Sequence, residues 1–113
     1  MPNPLVFFQI AVGNFPEARR FYEHVFDWTV SEDGSIDPRG PADFDIRGGF
    51  IQAKPGAPTS ITPWFRVEDL WAAFERAQEA GGEVLVPIRQ DHIGRHVCIV
   101  RAPDGLVMGI VQA

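Results

Sequence analysis

Two histidines and the only cysteine of the chain lie close together in the segment DHIGRHVCIV. His92, His96 and Cys98 are residue types that bind zinc, and on a strand His96 and Cys98 would share a face. Such a pair forms a metal site only if a third donor reaches it. Gly94 and Arg95 indicate a turn between the histidines. Two interpretations of His96 therefore stay open: contact with a ligand, or ordinary packing.

Three residues, Cys98 among them, bear on chemistry because of their strand context. Gln9 interrupts the apolar stretch LVFFQIAV, and a polar amide inside an apolar strand must be hydrogen-bonded. Gly109 lies in the strand LVMGIV, where glycine weakens the strand. It indicates a bulge, or a neighbouring group or bound molecule that needs the space. Cys98 is expected to be a buried, unreactive thiol, since a nucleophilic cysteine needs exposure and an activating base.

The bulk composition excludes several classes of function. The chain has 113 residues, 45 % of them hydrophobic and 22 % charged, which is typical of one soluble globular domain. The net charge is −5 and the basic residues are scattered, so we expect no nucleic-acid partner. No apolar stretch approaches the roughly 18 residues of a membrane span, and no secretory signal is visible. With a single cysteine, these features predict a cytoplasmic protein without a membrane partner.

The apolar pattern predicts the same order of elements twice: a strand, a helix and three strands. Asn14 and Asp69 are the expected caps of the two helices, and Gly81 and Gly82 end the second. The predicted strands are residues 5–12, 28–30, 44–46, 50–53, 61–67, 83–86, 95–100 and 106–111. The helix starts VGNF and VEDL align, which supports an internal repeat of two modules.

The stretches FPEARRFYEHVFDW, AGGEVLVP and PDGLVMGIVQ resemble the glyoxalase, bleomycin-resistance and extradiol-dioxygenase superfamily, also called vicinal oxygen chelate proteins. The resemblance covers essentially the whole chain. It implies an α+β fold in which paired βαβββ modules form an open, curved mixed sheet. One domain is expected over residues 1–113, with modules at about residues 4–54 and 61–113. The resemblance also implies a homodimer and, in the best-known enzymes, a divalent metal held by His, Gln or Glu.

The residues at the family's metal-ligand positions depart from that pattern. The resemblance assigns these positions to Phe7, Thr62, Gly109 and, by a looser match, Ile51 or Gln52. Phenylalanine and glycine side chains have no donor atom, and a threonine hydroxyl is a poor ligand for these ions. Only Gln52 would be a weak ligand. We therefore expect neither the usual metal centre nor another cofactor.

The same resemblance predicts a small-molecule site. If Phe7, Thr62 and Gly109 face a cleft between the modules, alternate residues of their strands face it too. In this interpretation Gly109 leaves a gap where a family enzyme holds a carboxylate. The predicted ligand-binding residues are Phe7, Gln9, Gln52, Thr62, Trp64, Arg66, His96, Val107 and Gly109. The alternative is that these residues pack against the other module or a second subunit.

Three functions follow from these observations. The first is a metal-free small-molecule binding protein that sequesters a hydrophobic or cationic aromatic compound, similar to the drug-resistance members of the superfamily. The second is a metal-dependent lyase, isomerase or dioxygenase with non-standard ligands. The third is a fold used only for subunit interaction. The replacement ligands of the second would come from Gln9, Gln52, His96 or the loop that carries Asp91 and His92.

Overall fold

The computed structural model describes residues 3–37 and 46–113. Six strands and two helices follow one another along these residues, which confirms the predicted α+β class. They are β1 (Leu5–Val12), α1 (Phe15–Phe26), β2 (Arg47–Gln52), β3 (Ser60–Val67), α2 (Leu70–Glu79), β4 (Glu83–Gln90), β5 (His96–Arg101) and β6 (Val107–Gln112). Neither helix in this described part is long and apolar enough to cross a membrane.

The chain divides into two compact units. The α1 unit is Phe7–Ile61, and the α2 unit is Thr62–Ala113 together with the residues up to Val6. The division therefore falls inside β1 and inside β3. The single-domain organisation expected from the sequence stays a prediction.

In the α1 unit, β1 and β2 run parallel, with Phe7 opposite Arg47 and Val12 opposite Gln52. The predicted cap of α1 is confirmed, since the Asn14 side chain accepts a hydrogen bond from the backbone N–H of Glu17. Alternate residues of β1 face α1 and build a core that is rich in aromatic rings. This core consists of Ile10, Val12, Val30 and Phe50, with Phe8, Phe15, Ala18, Tyr22, Trp28 and Ile36 packed against it.

The strands that follow α1 differ from the prediction. The strand expected at residues 28–30 is reduced to an isolated bridge between Val30 and Ile36. Two residues of the strand expected at 44–46 lie outside the described part of the chain, and Ile46 precedes β2. β2 begins at Arg47, because its two glycines are strand residues and not a break. Gly48 lies opposite Phe8, and a Cβ built on Gly48 would overlap the Phe8 ring.

In the α2 unit, β3 pairs in parallel with β6, while β5 pairs antiparallel with both β6 and β4. The Asp69 side chain caps α2 by accepting a hydrogen bond from the backbone N–H of Ala72. A mainly aliphatic core of Leu70, Cys98, Val100 and Ile110 lies under this helix. β4 extends to Gln90, beyond the predicted end at residue 86, and passes through Pro87. Proline cannot donate a backbone hydrogen bond to a neighbouring strand, but it is tolerated there because β4 is an edge strand that pairs only with β5 in this unit.

Candidate functional site

The strands of the α2 unit have one face toward α2 and one away from it. Cys98 and Ile110 form a cross-strand pair in the core under α2, so their neighbours in sequence point to the opposite side. Trp64 lies on this opposite side because it pairs with Gly109. We call this side the far face; it consists of Thr62, Trp64, Arg66, Val97, Ile99, Arg101, Val107, Gly109 and Val111.

The Trp64 indole covers Gly109. The parallel register of β3 and β6 places the two residues opposite each other, and a Cβ built on Gly109 would overlap the indole ring. Gly109 is buried. The sequence analysis predicted an open gap at this glycine, and that detail is wrong because the Trp64 ring fills the space. The other explanation of Gly109, that a neighbouring group needs the space, is confirmed because that group is the Trp64 ring.

The Trp64 indole N–H is buried and unpaired. Nε1 has no hydrogen-bond partner among the described residues, although the atom is shielded from solvent. Buried polar groups in native proteins nearly always have a partner, and leaving one unpaired costs about 1–3 kcal/mol. The unpaired donor is therefore a feature that requires an explanation, and it lies on the face where the sequence analysis predicts a ligand.

Two more polar side chains of the far face have no interaction partner among the described residues. Thr62 is half-buried and Arg66 is exposed, and within residues 3–37 and 46–113 neither side chain has a hydrogen-bond or ion-pair partner. By contrast, Arg101 donates to a carboxylate oxygen of Glu83 at 2.7 Å. The far face thus combines apolar side chains with an indole N–H, a hydroxyl and a guanidinium that have no partner in the described part of the chain.

The α1 unit has a related arrangement on the side of β1 that faces away from α1. Gln9 lies opposite Gly49, and the end of the Phe7 ring lies 3.5 Å from a Cβ built on Gly49. Gln9 is half-buried, and its amide has no hydrogen-bond partner among the described residues. The sequence analysis expected this amide to be paired, and no partner for it lies in the described residues.

The Gln52 side chain faces α1 and stabilises the start of that helix. Its Nε2 donates to the carbonyl oxygen of Gly13 at 3.0 Å, next to the Asn14 cap. Gln112 does the same in the α2 unit, where Nε2 donates to Glu68 O at 2.6 Å and Oε1 accepts from the backbone N–H of Leu70 at 2.7 Å. Sequence reasoning missed Gln112, although the repeated stretches GFIQA and GIVQA contain the signal.

The structure does not bring His96 and Cys98 to the far face. Both side chains face α2, where the His96 ring lies 5.1 Å from the Trp71 ring and Cys98 is fully buried. Burial raises the pKa of the Cys98 thiol to about 11, so the thiol is protonated at neutral pH. The side-chain direction of His96 and Cys98 depends on the β5–β6 register, which the sequence pattern did not supply.

The remaining candidates for metal binding are dispersed. The Asp91 carboxylate accepts hydrogen bonds from the backbone N–H groups of Ile93 and Arg95 and pairs with the Arg95 side chain at 2.9 Å. Burial raises the pKa of Asp91, but these hydrogen bonds and the charge of Arg95 outweigh it and hold the pKa below its ordinary value. His92 is exposed. In the described residues, no three His, Cys, Asp or Glu side chains are grouped so that they could hold an ion.

The residues at the expected ligand positions do not fit a divalent metal. Phe7 contributes a ring that lies against Gly49, and Gly109 contributes only backbone beneath the Trp64 indole. The Thr62 hydroxyl alone would be a poor donor for such an ion. The side chains at these three positions therefore do not support a metal-assisted reaction step.

One groove of the α1 unit lies apart from these residues. It has a volume of about 300 Å³ and is lined by Phe15, Glu32, Asp33, Gly34, Phe50, Ile51 and Gln52. Of the predicted ligand-binding residues, only Gln52 borders it. The groove is thus not the site that the sequence analysis predicts.

Comparison with known families identifies the class of this protein. Residues 5–110 match the family profile of the Glyoxalase/Bleomycin resistance protein/Dioxygenase superfamily, and the chain belongs to that superfamily. This confirms the resemblance found in the sequence. No curated protein sequence matches the chain significantly.

Solved structures share the fold at low sequence identity. A hypothetical protein from Bacillus halodurans C-125 is 12 % identical, with a TM-score of 0.71 over 100 % of this chain and 96 % of that one. A variant of Streptomyces coelicolor methylmalonyl-CoA epimerase in complex with 2-nitronate-propionyl-CoA is 14 % identical, with a TM-score of 0.70 over 100 % and 96 %. Methylmalonyl-CoA epimerase from Mycobacterium tuberculosis is 17 % identical, with a TM-score of 0.63 over 96 % and 86 %. At such identities the likeness concerns the fold alone.

Proposed function

We propose that this chain is a small-molecule binding protein of the superfamily and that a hydrophobic aromatic compound binds to the far face of the α2 unit. One observation carries the proposal: this apolar face holds three polar groups without a partner among the described residues, namely Trp64 Nε1–H, Thr62 and Arg66. Ligand sites are mostly apolar and use a few polar groups to orient the ligand. Trp64 would supply the aromatic surface.

A hydrophobic ligand is favoured over a cationic one. Arg66 has no ion-pair partner in the described residues, so its charge would repel a cation placed on the same face. A cationic aromatic compound would have to rely on the π face of Trp64, which is a weaker attraction at an exposed site. The net charge of −5 favours cations only at long range.

A metal-dependent lyase, isomerase or dioxygenase is the alternative, and methylmalonyl-CoA epimerases with this fold keep it open. The contacts of the replacement ligands count against it. Gln9 and Gln52 point to opposite sides of the β1–β2 pair, and Nε2 of Gln52 is bound to Gly13. His96 lies against Trp71 under α2.

A binding experiment with two tryptophan variants tests the proposal. Neutral, anionic and cationic aromatic compounds are screened by thermal shift, because a binder raises the melting temperature by mass action. Each hit is then titrated by calorimetry against Trp64→Ala and against Trp71→Ala, whose tryptophan lies on α2 and is 52 % exposed. We expect Trp64→Ala to weaken binding by about tenfold or more and Trp71→Ala to leave it unchanged.

Two results would contradict the proposal. Equal losses in the two variants would place the ligand elsewhere. A stoichiometric metal ion in protein purified without chelator, retained on titration with nickel, zinc and manganese, would favour the metal-dependent enzyme. The homodimer that the resemblance implies stays a prediction, which light scattering of the purified chain tests.

A further inference from the structure

The Trp64 side chain has an unusual environment on the far face. The indole covers the backbone of Gly109, and its N–H points to no acceptor among the described residues. An unpaired buried donor raises the free energy of this arrangement relative to one in which the N–H is bonded. The glycine beneath the ring has no side chain, so a planar group of another molecule would fit the same place if the ring moved aside.

We propose that Trp64 is the residue that selects the ligand: its indole closes the Gly109 position in the free protein, and the ligand displaces it. The ligand is inferred to be a planar aromatic compound that carries a carboxylate. Its ring takes the place over Gly109, and its carboxylate accepts a hydrogen bond from Trp64 Nε1–H. This inference rests on the proposed function, and it adds the ligand class and the movement of one side chain.

A difference in binding free energy can drive the displacement of the Trp64 indole by the ligand. A ligand shifts an equilibrium between two conformations only by its differential affinity for them. The hydrogen bond to Nε1 exists only in the displaced conformation, so it supplies that difference. Arg66 lies two residues from Trp64 on the same strand face and has no ion-pair partner in the described residues, which favours an anionic acceptor over a neutral one.

Three naphthalene probes test the ligand class. They are 2-naphthoate, 2-methylnaphthalene, which lacks the acceptor, and 2-naphthylmethylammonium, which has the opposite charge. We expect 2-naphthoate to bind at least about tenfold more tightly than the other two, as a hydrogen bond to a charged group implies. Its binding should shift the Trp64 indole N–H signal downfield in a proton–nitrogen correlation spectrum. Trp64→Phe assigns that signal and should weaken the preference for 2-naphthoate, leaving only the contribution of Arg66, while 2-methylnaphthalene still binds.

A pair of glycine variants tests the movement. Gly109→Ala introduces a Cβ that overlaps the indole and should push the ring off its place. We expect the indole N–H of Trp64 to exchange with solvent at least about tenfold faster in this variant. Gly49→Ala is the matched control, since it is the corresponding glycine of GFIQA and its new Cβ would meet only ordinary contacts with Phe7 and Gly34.

The outcomes separate this inference from the proposed function. If 2-naphthoate fails to bind at millimolar concentration, binds no better than 2-methylnaphthalene, or leaves the Trp64 signal unmoved, the inference is overturned. Unchanged N–H exchange in a folded Gly109→Ala also overturns it. If Gly109→Ala does not fold, the Trp64→Phe comparison decides. The proposed function falls on different results: every hit of the wider screen loses equal affinity in Trp64→Ala and Trp71→Ala, or the purified protein retains a stoichiometric metal ion.

Discussion

The α1 unit and the α2 unit carry a glycine at the same place in the repeated stretches GFIQA and GIVQA, and they fill the space beside it differently. In the α1 unit Gln9 lies opposite Gly49, and the tip of the Phe7 ring occupies the space. In the α2 unit Trp64 lies opposite Gly109 and covers it with its ring. The ring beside the glycine therefore belongs to the directly opposing residue in the α2 unit, and in the α1 unit to a residue two positions before the opposing one.

A second contrast concerns the side of the strands on which an aromatic ring covers a glycine. Phe8 lies over Gly48 on the side that faces α1, inside the aromatic core of that unit. Trp64 lies over Gly109 on the side that faces away from α2, whose core is mainly aliphatic. The first pair contributes to packing. The second pair leaves a ring and an unpaired N–H on the far face, where Val97 and Val111 are also buried, and this is the face at which we propose that a ligand binds.

The largest effect on stability is expected for the two glutamines that form hydrogen bonds with the backbone at the helix starts, Gln52 in the α1 unit and Gln112 in the α2 unit. Gln112→Ala leaves both the Glu68 carbonyl and the Leu70 N–H without their partner, so the free energy of unfolding should fall by about 2–3 kcal/mol. Gln52→Ala removes one good bond at an exposed position and should cost about 0.5–1 kcal/mol. Urea unfolding of both variants measures the difference. Equal losses would mean that the two glutamines are equivalent.

A smaller effect separates the two adjacent glycines of β2. Gly48→Ala forces a methyl group into the Phe8 ring within the core and should destabilise the chain by about 1–3 kcal/mol. Gly49→Ala meets only ordinary contacts, and its change should stay within about 0.5 kcal/mol. Thermal unfolding of the two variants is the measurement. A larger loss for Gly49→Ala would show that the β1–β2 register is wrong.

The smallest effect is an alkaline loss of stability that comes from Cys98 in the core of the α2 unit. Folding raises the pKa of this thiol from 9.0 to about 11. The stabilisation from the neutral thiol is therefore complete below pH 9 and is lost as the pH rises through 11. We expect a decline of about 1 kcal/mol between pH 9 and pH 10 that is absent in Cys98→Ala. Parallel pH profiles of unfolding for parent and variant test this, and identical slopes would contradict it.

Local pattern predicted most of the fold. Asn14 and Asp69 identify both helix starts, because a cap acts through backbone groups only a few residues away. The strands after α1 were predicted less well. The Gly48-Gly49 pair indicates a break on local grounds, and only the Phe8 ring on the neighbouring strand shows why glycine belongs there.

For the candidate site, the family resemblance supplied the positions Thr62 and Gly109, and strand alternation then added Trp64 and Arg66 to the same predicted face. Whether Gly109 is open or covered depends on the β3–β6 register, which pairs it with Trp64. The direction of His96 likewise depends on which face of β5 meets α2. Caps and alternation are short-range properties that the chain encodes locally, whereas strand register joins residues far apart in sequence and forms only when the strands assemble.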